Sequence, residues 1–151
     1  MKETIFETAG ALKQPGVSSA QEFHLKWEDL SASGTQILME RPDVETLIGR
    51  GNQNMAQDNN RNFPRFMDAL FLNYQPQILV ETVLWVFRAY RSHGFATTYW
   101  AANLNIWVDL LKKELTPAAF EEIYPFYRWL IVNIPVFVRI TDQERSIHDE
   151  K

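Results

Sequence analysis

The sequence predicts an all-α fold, a bundle of five or six main helices joined by short loops. Apolar residues recur at three- and four-residue intervals in one segment after another. No stretch of useful length alternates apolar and polar residues as a half-buried strand would, and no internal repeat is visible. Prolines and glycines, at Pro42, Pro76, Gly94 and Pro117, separate the periodic segments at distances suited to helices packed through short turns.

Residues 1–18 read as a loose lead-in, closed by Gln14-Pro15-Gly16. Ser18 or Ser19 then caps the helix SAQEFHLKWEDLSASGTQILMER, in which Phe23, Trp27, Leu30, Ile37 and Leu38 fall on or near one face. The SASG stretch at 31–34 is a weak point where this helix is expected to bend or break. Pro42 ends it, because proline cannot continue the backbone ladder and restrains the residue before it. PDVETLIGRG supplies one or two helical turns and a glycine-flanked loop. The asparagine-rich GNQNMAQDNNRN reads as a loop that runs into a helix starting near Asp58–Asn62. Phe63, Phe66, Met67, Leu70 and Phe71 form that helix's apolar stripe, and Pro64 fits its first turn or a kink.

After the connection Asn73-Tyr74-Gln75-Pro76, the segment ILVETVLWVFRAYRSH is apolar nearly all round, with Glu81 and Arg88 as exceptions. It predicts a helix buried over most of its circumference, stopped by a left-handed Gly94. Thr97 or Thr98 caps TYWAANLNIWVDLLKKEL, whose core face is Leu104, Trp107, Val108 and Leu111. Lys112 and Lys113 sit near the negative end of its dipole. Thr116-Pro117 sets a cap before a first-turn proline and opens PAAFEEIYPFYRWLIVNIPVF. Pro125 predicts a kink in this last helix and Pro135 an end or bend. The polar tail, 141–151, is expected to be flexible.

Composition limits the function. The 151 residues, 46% of them hydrophobic, suffice for one domain with a real core. A net charge of −4 without a basic stripe argues against a nucleic-acid partner. The absence of cysteine removes disulfides, thiolate metal sites, iron–sulfur clusters and cysteine nucleophiles, and fits a reducing compartment. MKETIFETAGALKQPG has no signal-peptide apolar run, and the most apolar stretch, residues 129–140, is too short to span a bilayer. The expectation is a soluble, cytoplasmic protein with no membrane partner.

The order of elements in the second half is more specific. FPRFMDALF is followed by a short break and a long helix ending at Gly94. The aromatic pair Tyr99-Trp100 begins the next helix, and another opens at Thr116. Over about residues 60–137 this pattern resembles the bacterial sensor globins. In that resemblance Gly94 takes the place of the glycine that ends the proximal helix, and Tyr99 and Trp100 that of the family's aromatic pair. The haem-ligating histidine of the family lies four residues before that glycine, where this chain has Tyr90. The chain is therefore more similar to the non-haem globin domains of bacterial stress-sensing complexes. The resemblance implies a globin-like sensor or regulatory module that is not an enzyme, carries no cofactor, and signals through a homodimer or partner interface.

The alternative is a haem- or tetrapyrrole-binding gas sensor or carrier. His93 would then ligate iron in the manner of a proximal histidine, or Tyr90 as a phenolate held by Arg88 or Arg91. Otherwise His93 is a last-turn residue at the carbonyl end of its helix, and Tyr90 fills the space a haem would take. Trp85, Phe87, Tyr99 and Trp100 wall a pocket in one reading and make a solid core in the other. Tyr124, Tyr127, Leu130, Ile131 and Ile134 form a candidate twofold seam or the inner face of a central helix. No catalytic or metal constellation is visible. Glu81 is the one carboxylate expected to be perturbed by burial, and the histidines at 24, 93 and 148 are scattered.

Overall fold

The computed structural model describes residues 1–149, with side chains to residue 145. Within them the chain is all-helical. Eight helices follow one another: α1 (Lys2–Gly10), α2 (Val17–Met39), α3 (Val44–Ile48), α4 (Gln53–Leu72), α5 (Pro76–Ser92), α6 (Thr98–Glu114), α7 (Pro117–Val132) and α8 (Ile134–Asp149). This exceeds the five or six expected. The lead-in forms α1, the short 44–48 segment stands as α3, and the last long helix is two. Among the described residues no helix is long and apolar enough to cross a membrane.

The lead-in is ordered by burial. Ile5 and Ala9 of α1 enter the core. The Trp129 indole N–H donates to the Thr8 hydroxyl at 2.9 Å, and the Tyr74 hydroxyl donates to the Ala9 carbonyl at 2.5 Å. At the other end, residues 141–149 continue α8 where the polar composition suggested a flexible tail. Thr141 is buried, and the Arg91 guanidinium donates to its hydroxyl at 2.8 Å and meets the Asp142 carboxylate at 2.6 Å. Residues 150–151 lie outside the described residues.

α2 does not break at SASG, because small residues there let neighbouring helices approach. The hydrogen position of Gly34 faces the Trp107 indole, and a Cβ built on it would stand 3.5 Å from the ring nitrogen. Ser31 is buried and donates its hydroxyl to the Asn60 carbonyl. That carbonyl needs a donor, since residue 64, four positions on, is a proline without an N–H. α4 continues through a buried Pro64. The proline's missing bond is replaced from across the helix interface.

Two carboxylates tie α2 to α7 in a reciprocal way. Glu122 of α7 accepts from the Gly16 N–H at 2.8 Å and from the Ser19 hydroxyl, at the amino end of α2. Glu22 of α2 accepts from the Thr116 N–H at 2.7 Å and its hydroxyl at 2.9 Å, at the amino end of α7. Each helix caps the other's exposed N–H groups with a negative charge. Ser19 thus serves Glu122 and makes no cap bond for α2, while Thr116 does cap α7 through Ala119 N–H at 3.3 Å. Hydrogen bonds from Ser19 and Gly16 hold the Glu122 carboxyl below its ordinary range. For Glu22 desolvation pushes upward, and Thr116 and Lys26 outweigh it, leaving the group low as well.

Candidate functional site

The stretch Ala89–Trp100 forms the corner where α5 turns into α6. Gly94 takes φ +99°, the left-handed conformation that glycine adopts without Cβ strain. The Gly94 N–H donates to Arg91 and the Phe95 N–H reaches back to the Tyr90 carbonyl, both at 3.1 Å. This is a Schellman stop, and its apolar contact is present in the Tyr90 and Phe95 rings, 4.9 Å apart and edge-on. Asn52 locks the corner to α3: its side-chain amide donates to the carbonyls of Ile48 and His93, each at 2.8 Å. Gly49 comes so near that a Cβ there would stand 2.9 Å from the Gly94 carbonyl oxygen.

His93 is the residue that closes α5. It is exposed, and its ring nitrogen Nδ1 lies 2.8 Å from the Ala89 carbonyl of the same helix. Tyr90 points inward, packed edge-on against Phe95 and against Trp100, whose ring centre is 5.6 Å away. Its hydroxyl faces the Met55 carbonyl at 3.5 Å. Burial, with the charge of Asp58, pushes the Tyr90 phenol up to about 12. Neither arginine is paired with it: Arg91 bonds Val138, Thr141 and Asp142, and Arg88 meets the Glu144 carboxylate at 2.5 Å.

The other aromatics divide. Phe87 stacks on Trp100 with ring centres 4.3 Å apart, and Tyr99 is fully buried against both Phe95 and Trp100. Trp85, expected beside them, is on the opposite face of α5 and 62% exposed. Glu81 is exposed too, accepting from Gln77 at 3.1 Å. So α5 is buried on one side only, and the perturbed carboxylate expected there is a surface group.

Beneath this aromatic layer lies a polar centre that the sequence did not reveal. Asn59 donates to the Tyr99 hydroxyl at 2.7 Å. The Asn60 carbonyl oxygen Oδ1 accepts from Asn103 at 2.9 Å and from the Trp107 indole at 3.0 Å. Asn59, Asn60 and Asn103 are all buried. Asn60 Nδ2, Asn103 Oδ1, Trp100 Nε1 and the Tyr127 hydroxyl have no protein partner among the described residues. All four residues line one small cavity between α4, α5, α6 and α7, walled otherwise by Phe63, Val83 and Phe87. The space open to a water molecule's centre is about 20 Å³, room for roughly one ordered water. Burial raises both the Tyr99 and the Tyr127 phenols well above the ordinary value.

Among the described residues no histidine lines the cavity, and Tyr90 points inward beside Phe95 and Trp100. The candidate seam on α7 and the first residue of α8 divides as well. Tyr127 and Leu130 are 1% and 2% exposed, inside this chain's own core, and only Tyr124, Ile131 and Ile134 remain half-exposed. Asparagines 59 and 60 escaped the sequence reading because asparagine favours turns and caps over helix interiors. Their spacing with Phe63, Met67 and Leu70 along one helical face was the usable signal.

Comparison with protein-family models, curated proteins and solved structures returns no match.

Proposed function

We propose that this chain is a non-catalytic, globin-like sensor or regulatory module that works without haem and passes its output to another polypeptide. One observation carries the reading: where the resemblance would seat a tetrapyrrole, between α4 and α5, Tyr90, Phe87, Tyr99 and Trp100 form a packed aromatic layer over a cavity of about 20 Å³. Tyr90 supplies there the volume that a ligand would otherwise fill. Output would travel through α5 and α8, which Arg88 and Arg91 clasp together, as a shift between two placements of α8. A cytoplasmic setting belongs to the same proposal and suits the cysteine-free composition.

Haemin titration tests it. The expected result is broad, nonspecific absorbance that His93→Ala and Tyr90→Phe leave unchanged. A sharp, stoichiometric Soret band abolished by either substitution establishes instead the alternative, a tetrapyrrole-binding sensor or carrier.

A further inference from the structure

Trp85 is the largest side chain that this chain leaves in water, and it does not stand alone. On α5, Ile78 is 42% exposed and Trp85 62%, with half-buried Thr82 and Ala89 beside them. Positions 78, 82, 85 and 89 follow the three- and four-residue spacing of one helical stripe. Ile78 and Trp85 together give α5 an exposed apolar stripe, the kind of surface on which contact faces are built.

The charges around it name the occupant. Glu81 lies one turn before Trp85 and is exposed. Arg88 lies one turn after it and shares the Glu144 carboxylate with Lys2. Two cations on one carboxylate leave that end positive, so the stripe is negative at its amino end and positive at its carboxyl end. At 100° per residue, Glu81 and Arg88 fall on the same flank, roughly 40° and 60° round from Trp85. Thr82 and Ala89 fall on the other flank at about the same angles. Along the axis the two charges sit about 6 Å before and about 4.5 Å after Trp85.

A twofold axis lying in the interface and perpendicular to α5 keeps each flank on its own side and reverses the helix direction. Centred on Trp85, it stacks Trp85 on the same residue of the second copy. It brings Glu81 to Arg88 of that copy, and Arg88 to Glu81, within about 1.5 Å of axial register. It also sets the small Thr82 against Ala89, letting the helices approach. A parallel pairing, about an axis along the helix, would instead exchange the flanks, setting Glu81 against Thr82 and Arg88 against Ala89 and leaving both charges without an opposite partner.

We infer that α5 is a self-association surface, on which a second copy of this chain packs antiparallel about an axis at Trp85. This rests on the reading of the chain as a contact module and gives that contact a place. It replaces the α7 seam, whose Tyr127 and Leu130 are committed to the core.

The test is the mass of the full chain in solution, by light scattering and sedimentation velocity from low micromolar to near-millimolar concentration. The expected result is a concentration-dependent dimer of about 35 kDa, twice the 17.7 kDa chain. Trp85→Ala and Glu81→Arg each weaken it about tenfold or more, the second by setting two like-charge contacts face to face. Glu81→Arg combined with Arg88→Glu restores it. All three positions are exposed, and unchanged helical circular dichroism confirms that the variants fold. A chain that stays at 17.7 kDa throughout overturns the inference. So does a dimer indifferent to Trp85, and so does a double variant no better than Glu81→Arg. None of these outcomes alters the haemin titration, so the two readings fail separately.

Discussion

The two faces of α5 carry similar side chains and opposite duties. On the inner face Leu79, Val83, Phe87 and Tyr90 are buried, Phe87 stacked on Trp100 and Tyr90 wedged between Trp100 and Phe95. On the outer face Ile78 and Trp85 stand in solvent between Glu81 and Arg88. Hydrophobicity alone does not separate Phe87 from Trp85, two residues apart. The rotation of the helix against α1 and α8 does. Aromatic residues on the inner side serve the interior's packing density, and those on the outer side remain available for association.

Truncations measure that contrast most directly. Phe87→Ala removes a stacked ring from a filled layer and is expected to cost about 3–5 kcal/mol in urea unfolding. A loss near that of a surface substitution would mean that the layer is loosely packed. Next in size is Ser31→Ala, which strips the Asn60 carbonyl of the donor that replaces the Pro64 N–H; about 1–3 kcal/mol is expected. Ser31→Ala combined with Pro64→Ala should recover part of this, because residue 64 then regains an N–H for the same carbonyl. Gly49→Ala, at φ +84° and facing the Gly94 carbonyl, is expected to cost about 1–3 kcal/mol. Its thermal melt reports whether the α3–α5 corner supports the inner face.

Smaller effects follow at the surface. Glu22 and Glu122 both have folded-state pKa values below the ordinary carboxyl value of 4.5. Their contribution to stability is present in full above that value and is lost as pH falls through the lower folded ones. Glu122→Gln should therefore leave the midpoint of unfolding nearly unchanged at low pH, lower it near neutral pH, and flatten the acid limb. The smallest change is expected for Trp85→Ala in dilute, monomeric protein, within about 0.5 kcal/mol of the parent. A destabilisation as large as that of Phe87→Ala would put Trp85 in the core and erase the distinction between the faces.

Several elements were legible from residue patterns. Pro76 and Gly94 bracket α5 as expected, and Thr116-Pro117 opens α7 with the cap it promised. Pro42 follows the end of α2 closely, and Pro135 sits in the first turn of α8, at the break that divides the last long segment. In each case the cause is local: a missing N–H, a permitted positive φ or a hydroxyl in reach of its own helix decides the outcome within a few residues. His93 belongs with these, since the Ala89 carbonyl it meets is four residues back on its own helix.

Other outcomes depended on partners distant in sequence. SASG stays helical because Trp107 and the Asn60 carbonyl need small residues and a hydroxyl opposite them. The asparagine-rich run becomes α4 because Asn59 and Asn60 find Tyr99, Asn103 and Trp107 across the core. Residues 2–10 order as α1 because Ile5 and Ala9 find a core to enter. The chain's composition and punctuation thus specified helices, their caps and their stops. Which side of each helix faced inward, which polar groups were satisfied and which tryptophan stayed in water were settled by assembly, because desolvation and packing act on neighbours that linear order does not reveal.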